Sequence, residues 1–161
     1  MINEFRNLIA LEKNNPELQS TIDIPTLLRA AENVDIDYLS NHTLADISQE
    51  VVQALQFAQI SKNDIAEFCE KLTEYRLVDQ IFQLHKGKHV RWVRTGSPRL
   101  CLTNGGIVVD VKFLDNGTHI LCKNGPRFIQ YKFDDCITFQ KLSADEQMML
   151  SCYELLKKHN S

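Results

Sequence analysis

The chain has 161 residues, 43% apolar and 24% charged, a balance of folded globular proteins and not of disordered ones. No apolar run approaches the ~18 residues of a membrane span, and the start Met1-Ile2-Asn3-Glu4-Phe5-Arg6 lacks the basic lead and apolar centre of a secretory signal. A soluble, intracellular protein with no membrane partner is therefore expected.

The net charge of −3 conceals a division. Residues 1–79 hold six Lys or Arg against fourteen Asp or Glu, whereas residues 80–161 hold twelve against seven. The five cysteines are odd in number and never closer than fourteen residues, which excludes a CxxC site and a disulfide framework and implies reduced thiols.

In chain order, Ile2, Phe5, Leu8 and Ile9 predict a one-sided helix that Asn14-Asn15-Pro16 ends. A second is expected after Asp23, with Pro25 in its first turn and Leu27, Leu28, Ala31 and Val34 on one face. Thr43 caps a third over residues 44–60, Asp46 completing a capping box and Leu44, Ile47, Val51, Leu55 and Ala58 forming its stripe. Ser61, with Asp64, starts a fourth, and the stripe Ile65, Phe68, Leu72, Tyr75 and Phe82 extends it beyond residue 80.

After Gly87 the apolar period falls from about 3.6 to 2. Val90 and Trp92 mark one strand, residues 99–103 a short second, and Asn116-Gly117 a type I′ hairpin. With those two residues as the loop, Phe113 faces Ile120 and Val111 faces Cys122. Val109, Val111, Phe113, Ile120 and Cys122 then point inward, and Asp110, Lys112, His119 and Lys123 outward; Leu121 alone breaks the pattern on that outer face. Ile129, Tyr131 and Phe133 alternate in the next strand, Asp134-Asp135 breaks it, and residues 136–139 form the last. Ser143-Ala144-Asp145-Glu146 is a capping box for a final helix carrying Met149, Leu150, Tyr153, Leu155 and Leu156.

The fold class expected is α+β: an N-terminal helical bundle, a small SH3-like antiparallel β-barrel or bent sheet, and a C-terminal helix. The division would place an acidic helical region at 1–86 and a basic barrel-like region with the last helix at 87–161.

Arg91-Trp92, Leu102-Thr103-Asn104-Gly105-Gly106 and Phe139-Gln140-Lys141-Leu142 before the last capping box resemble short motifs of small uncharacterised proteins of nucleocytoplasmic large DNA viruses (giant viruses). The resemblance covers residues 88–156. It implies a viral protein of the virion or the host cytoplasm and brings no activity or site residues with it.

The candidate binding residues lie in the acid-free stretch from Gln80 to Val109: Lys86, Lys88, Arg91, Trp92, Arg94 and Arg99. Their cations could neutralise phosphates and the indole could stack on a base, or the same charges could meet an acidic protein surface. The bland alternative is a solvated strand edge with Trp92 in the core. The aromatics Trp92, Phe113, Phe128, Tyr131, Phe133 and Phe139 read as core before they read as a methyl-lysine cage. His85 and His89 straddle Gly87, which breaks the helix that would align them, so neither a metal nor another cofactor is expected. No nucleophile with a base, no converging carboxylates and no phosphate loop appears, which gives the expectation of no enzyme. The function expected is non-enzymatic binding or assembly through protein partners, self-association included, in a viral structural or accessory protein. Nucleic-acid binding by the basic strand 86–99 is the second reading.

Overall fold

The computed structural model describes residues 38–159, together with Pro25. The two helices expected before residue 38 lie outside the described residues. The described elements, in order, are α1 (Leu44–Phe57), α2 (Lys62–Lys71), β1 (Tyr75–Val78), β2 (His89–Arg94), β3 (Gly106–Leu114), β4 (Gly117–Asn124), β5 (Arg127–Lys132), β6 (Cys136–Lys141) and α3 (Ala144–His159). Short 3-10 turns occupy Ile81–Gln83 and Phe133–Asp135.

All three helix starts form from local chemistry. The Thr43 amide donates to Asp46 Oδ2 at 2.9 Å and the Asp46 amide to Thr43 Oγ1 at 3.2 Å, the reciprocal capping box. Ser61 accepts from the Asp64 amide at 3.3 Å. The Ser143 amide donates to Glu146 Oε1 at 3.0 Å and the Glu146 amide to Ser143 Oγ at 3.1 Å.

The fourth expected helix is shorter than its apolar stripe suggested. It ends at Lys71, where the Thr73 hydroxyl donates to the carbonyls of Cys69 and Glu70 and satisfies the last turn. Tyr75-Arg76-Leu77-Val78 then leaves as a strand, because β6 offers it a ladder with Tyr75 opposite Lys141 and Val78 opposite Thr138.

The six strands form one antiparallel sheet in the order β1-β6-β2-β3-β4-β5. The sheet is open, so of the two forms expected, an SH3-like barrel or a bent antiparallel sheet, the closed barrel does not form. Its last strand enters between β1 and β2, which leaves β1 and β5 at opposite edges with no ladder between them. Val78 of β1 and Tyr131 of β5 nevertheless share one core with Val90, Trp92, Val108, Ile120 and Cys122, so the sheet bends around this cluster. On the other face Val51, Leu55, Ile60 and Phe68 of the helical segment pack with Val93 and Phe139. Residues 99–103 make a single bridge, Leu102 with Val93, and no strand.

The hairpin register differs from the expected one. Leu114 faces Gly117, so Asp115-Asn116 is the turn, and Val111 faces Ile120. A bulge between Val108 and Asp110 turns Val109 outward and brings Val108 opposite Cys122. Val111, Ile120 and Cys122 point inward as expected; Val109 does not, and Phe113 lies beyond the core on the protruding end.

The chain divides into two compact units, Ile47–Leu142 and the pair of segments Met1–Asp46 and Ser143–Ser161. Residue 86, the expected boundary, lies inside the first of these, because α1, α2 and β1 belong to the sheet's own core. In the other unit the buried Glu146 takes a hydrogen bond from the Tyr38 hydroxyl at 3.1 Å, and Met149, Leu150 and Tyr153 are the buried face of α3.

Gly105, immediately before β3, lies against the backbone of Val90 in β2. Its φ is +71°, and a Cβ there would fall 1.7 Å from the Val90 carbonyl oxygen. Gly105→Ala is expected to cost at least about 2 kcal/mol in urea denaturation, while Gly96→Ala, with nothing within 4 Å, stays within about 0.5 kcal/mol of wild type. Equal midpoints for the two variants would show that the β2–β3 approach is not tight.

Candidate interaction surface

The six expected binding residues do not share one surface. Side chains alternate along β2, so His89, Arg91 and Val93 face the helices while Val90, Trp92 and Arg94 face the other core. Trp92 is 6% exposed and stacks on Tyr131 at 4.0 Å and 15°, which leaves no ring face for a base. Arg91 is half-buried and its Nε donates to the Thr103 carbonyl at 2.9 Å. Arg94 is exposed at the end of β2, Arg99 lies in the following loop, and Lys86 pairs with Asp110 at 3.3 Å. The half-buried Lys88 accepts the Val108 amide on its carbonyl.

Among the described residues the helical layer packs on three of the six strands, β1, β6 and β2. On the same face, β3, β4 and β5 present three rows set by the ladder. They are Ile107, Lys123 and Phe128; Asp110, Leu121 and Gln130; and Lys112, His119 and Lys132. Ile107 and Val109 are each 42% exposed and Phe128 63%, while the Lys123 ammonium lies 5.8 Å from the Phe128 ring centroid. The result is an apolar strip interleaved with lysines. Phe128 and Phe113, both in the aromatic set expected to be core, are exposed.

The first row continues across the covered half. Ile107 faces His89, and His89 precedes Val90, the partner of Gln140, so that Lys141 and then Tyr75 complete it. The Tyr75 hydroxyl and His89 Nδ1 are 2.8 Å apart, a bond that a neutral imidazole accepts. Burial first, then the Arg91 and Lys141 charges, holds the His89 pKa below its ordinary 6.5. Burial likewise pushes the Tyr75 hydroxyl up.

Along this face Lys112, Lys123, Lys132, Arg91 and Lys141 stand against Glu74 and Asp110, and both acids are engaged, by Lys141 at 3.6 Å and Lys86 at 3.3 Å. The unit 47–142 carries thirteen Lys or Arg against ten Asp or Glu, a net +3 within a chain of −3. The local field of the bare face is therefore positive although the chain is acidic.

Reasoning from sequence turned Lys112 and Lys123 outward without naming them as binding residues, and it did not pick out Ile107, Val109, Phe128 or Lys132 for a contact surface. The signal was Leu121, the one apolar residue on the polar side of the hairpin. Among the described residues no three of His, Cys, Asp and Glu converge in a metal-holding group. No family model, curated protein or solved structure matches the chain.

The lowered His89 pKa has a defined effect on stability. The unfolded chain takes up this proton near pH 6.5 and the folded protein only at lower pH, so the unfolded state binds more protons in between. Stability should fall as pH drops from about 6.5 toward the folded pKa, and His89→Gln should flatten that slope in chemical denaturation. Asp46, held below 3.8 first by its hydrogen bond from the Thr43 amide, acts in a separate and lower window. An unchanged slope in the variant would contradict the assignment to His89.

Proposed function

We propose that this chain is a non-enzymatic binding or assembly protein that acts through protein contacts, with the uncovered half of its sheet as the contact face and an acidic, apolar surface as its partner. One observation carries the reading: the helices stop at β2, leaving Ile107, Val109 and Phe128 exposed among Lys112, Lys123 and Lys132. An apolar centre with a charged rim is the usual anatomy of a protein interface. Contiguous exposed apolar patches on small proteins commonly mark binding surfaces.

Nucleic acid is the second reading, favoured by the lysines along one face. It is weaker because the exposed apolar residues are mostly aliphatic, and stacking needs aromatic rings. Among the described residues of that face Phe128 offers an exposed ring and His119 a half-buried one, while Trp92 is enclosed. The viral setting implied by the short motifs fits a structural or accessory protein of this kind, working inside the host cell or the virion.

The test is fluorescence anisotropy with a labelled short peptide alternating Glu and Leu, and with a labelled single-stranded thymidine oligonucleotide. The wild type is expected to bind the peptide more tightly at low salt than at high salt. Lys123→Glu with Phe128→Ser should weaken it at least about tenfold. Tighter binding of the oligonucleotide than of the peptide, or a double variant that binds as wild type does, would overturn the protein reading.

A further inference from the structure

The β3–β4 hairpin ends in an apolar tip. Phe113 is 73% exposed and Leu114 49%, and as neighbours in a strand they point to opposite faces, so both sides of the tip are greasy. A solvated hairpin end ordinarily carries polar residues. The tip is also held in place: the Thr118 amide donates to Asp134 Oδ2 at 2.9 Å, and His119 Nε2 lies 3.0 Å from Asn116 Oδ1. A preorganised knob loses little freedom when it docks.

A matching groove lies elsewhere in the same unit. It encloses about 410 Å³ between α2 and residues 98–102, with Ile60, Phe68, Leu100 and Leu102 as apolar walls. That is the low end of the ~300–1,000 Å³ of ligand pockets, room for one or two side chains and not for a helix. The charges also correspond. Asp64 stands on the helical wall and Arg99 on the loop wall, while Glu67 is engaged by Lys71 at 3.0 Å. The tip carries one charge of each sign, Lys112 behind Phe113 and Asp115 on the turn. Seating Phe113 and Leu114 in the groove allows Lys112 to meet Asp64 and Asp115 to meet Arg99.

We infer that the occupant of this groove is the β3–β4 tip of a second copy of the chain, so that the protein self-associates by knob and socket. The contact uses two different patches of one molecule. It closes as a reciprocal pair, or it propagates head to tail if the rotation does not close. Lys112 belongs to both this contact and the bare sheet face, but the residues tested differ, Phe113 and Leu114 here and Lys123 and Phe128 there, so either can hold without the other.

Cys101 lines the groove and provides the test. Cys122 and Cys152 are buried, with thiols pushed up to about 12 and about 11, so they stay silent under mild oxidation. A Leu114→Cys, Cys101→Ser chain is mixed with wild type, oxidised, and the cross-links are mapped by mass spectrometry. A 114–101 disulfide between chains is expected to form at least about tenfold faster than a 127–101 disulfide from an Arg127→Cys, Cys101→Ser control. Sedimentation at micromolar concentration should show association of the wild type, lost in Phe113→Asp with Leu114→Asp; both positions are exposed, so folding is spared. A wild-type monomer at all concentrations, or equal cross-linking from positions 114 and 127, overturns the proposal. Peptide binding to the bare face would be unaffected by that outcome.

Discussion

The pairing of β6 with both β1 and β2 is the constraint on which the remaining structure depends. β6 is hydrogen-bonded on both sides and buried on both faces, with Phe139 toward the helices and Thr138 and Gln140 toward the opposite core. The Tyr131 hydroxyl reaches Thr138 Oγ1 at 3.0 Å, and the His85 amide reaches Gln140 Oε1 at 2.7 Å. These bonds fasten β5 and the segment before β2 to the same strand. Inserting β6 at this place draws Tyr75–Val78 out of the helical pattern, sends β5 to an edge, and prevents a closed barrel. Such pairing joins residues about sixty apart in sequence, the kind of contact that pays its loop-closure entropy before any ladder forms.

Half-coverage of the sheet follows from where the helices pack: among the described residues, the apolar faces of α1 and α2 meet side chains of β1, β6 and β2 and none of β3, β4 or β5. What lies beyond them must live in water, and its sequence compromises. Lysines at 112, 123 and 132 keep that face soluble, while Ile107, Val109 and Phe128 leave it sticky. A sheet edge blunted by Arg127 and Lys132 at the two ends of β5 belongs to the same compromise. The face can therefore be read as tolerated exposure or as an interface; exposed apolar residues on both β3 and β5, with Lys123 between them, favour the interface.

Much of the fold is legible from local chemistry. The three capping boxes or caps, the alternation of Ile129 and Tyr131, the turn near Asn116 and the final helix all appear where residue types and spacing put them. The candidate surface was not legible in the same way. Lys86, Arg91, Trp92, Arg94 and Arg99 look like one cluster along the chain, yet a strand sends successive residues to opposite faces, and Trp92 found Tyr131 instead of solvent. The bulge at Val109 is equally hidden, since one extra residue in a ladder leaves no compositional trace.

By itself the sequence determined the helix starts, the change from helical to strand periodicity, the acidic and basic halves and the absence of paired cysteines, because each rests on neighbours within a few residues. Strand order, the end of α2, the open edge and the uncovered half of the sheet were decided by tertiary structure alone. Those depend on which distant segment supplies a hydrogen-bonding partner. For Tyr75–Val78 that partner is β6, and a four-residue apolar stretch has no preference strong enough to choose helix or strand until it arrives.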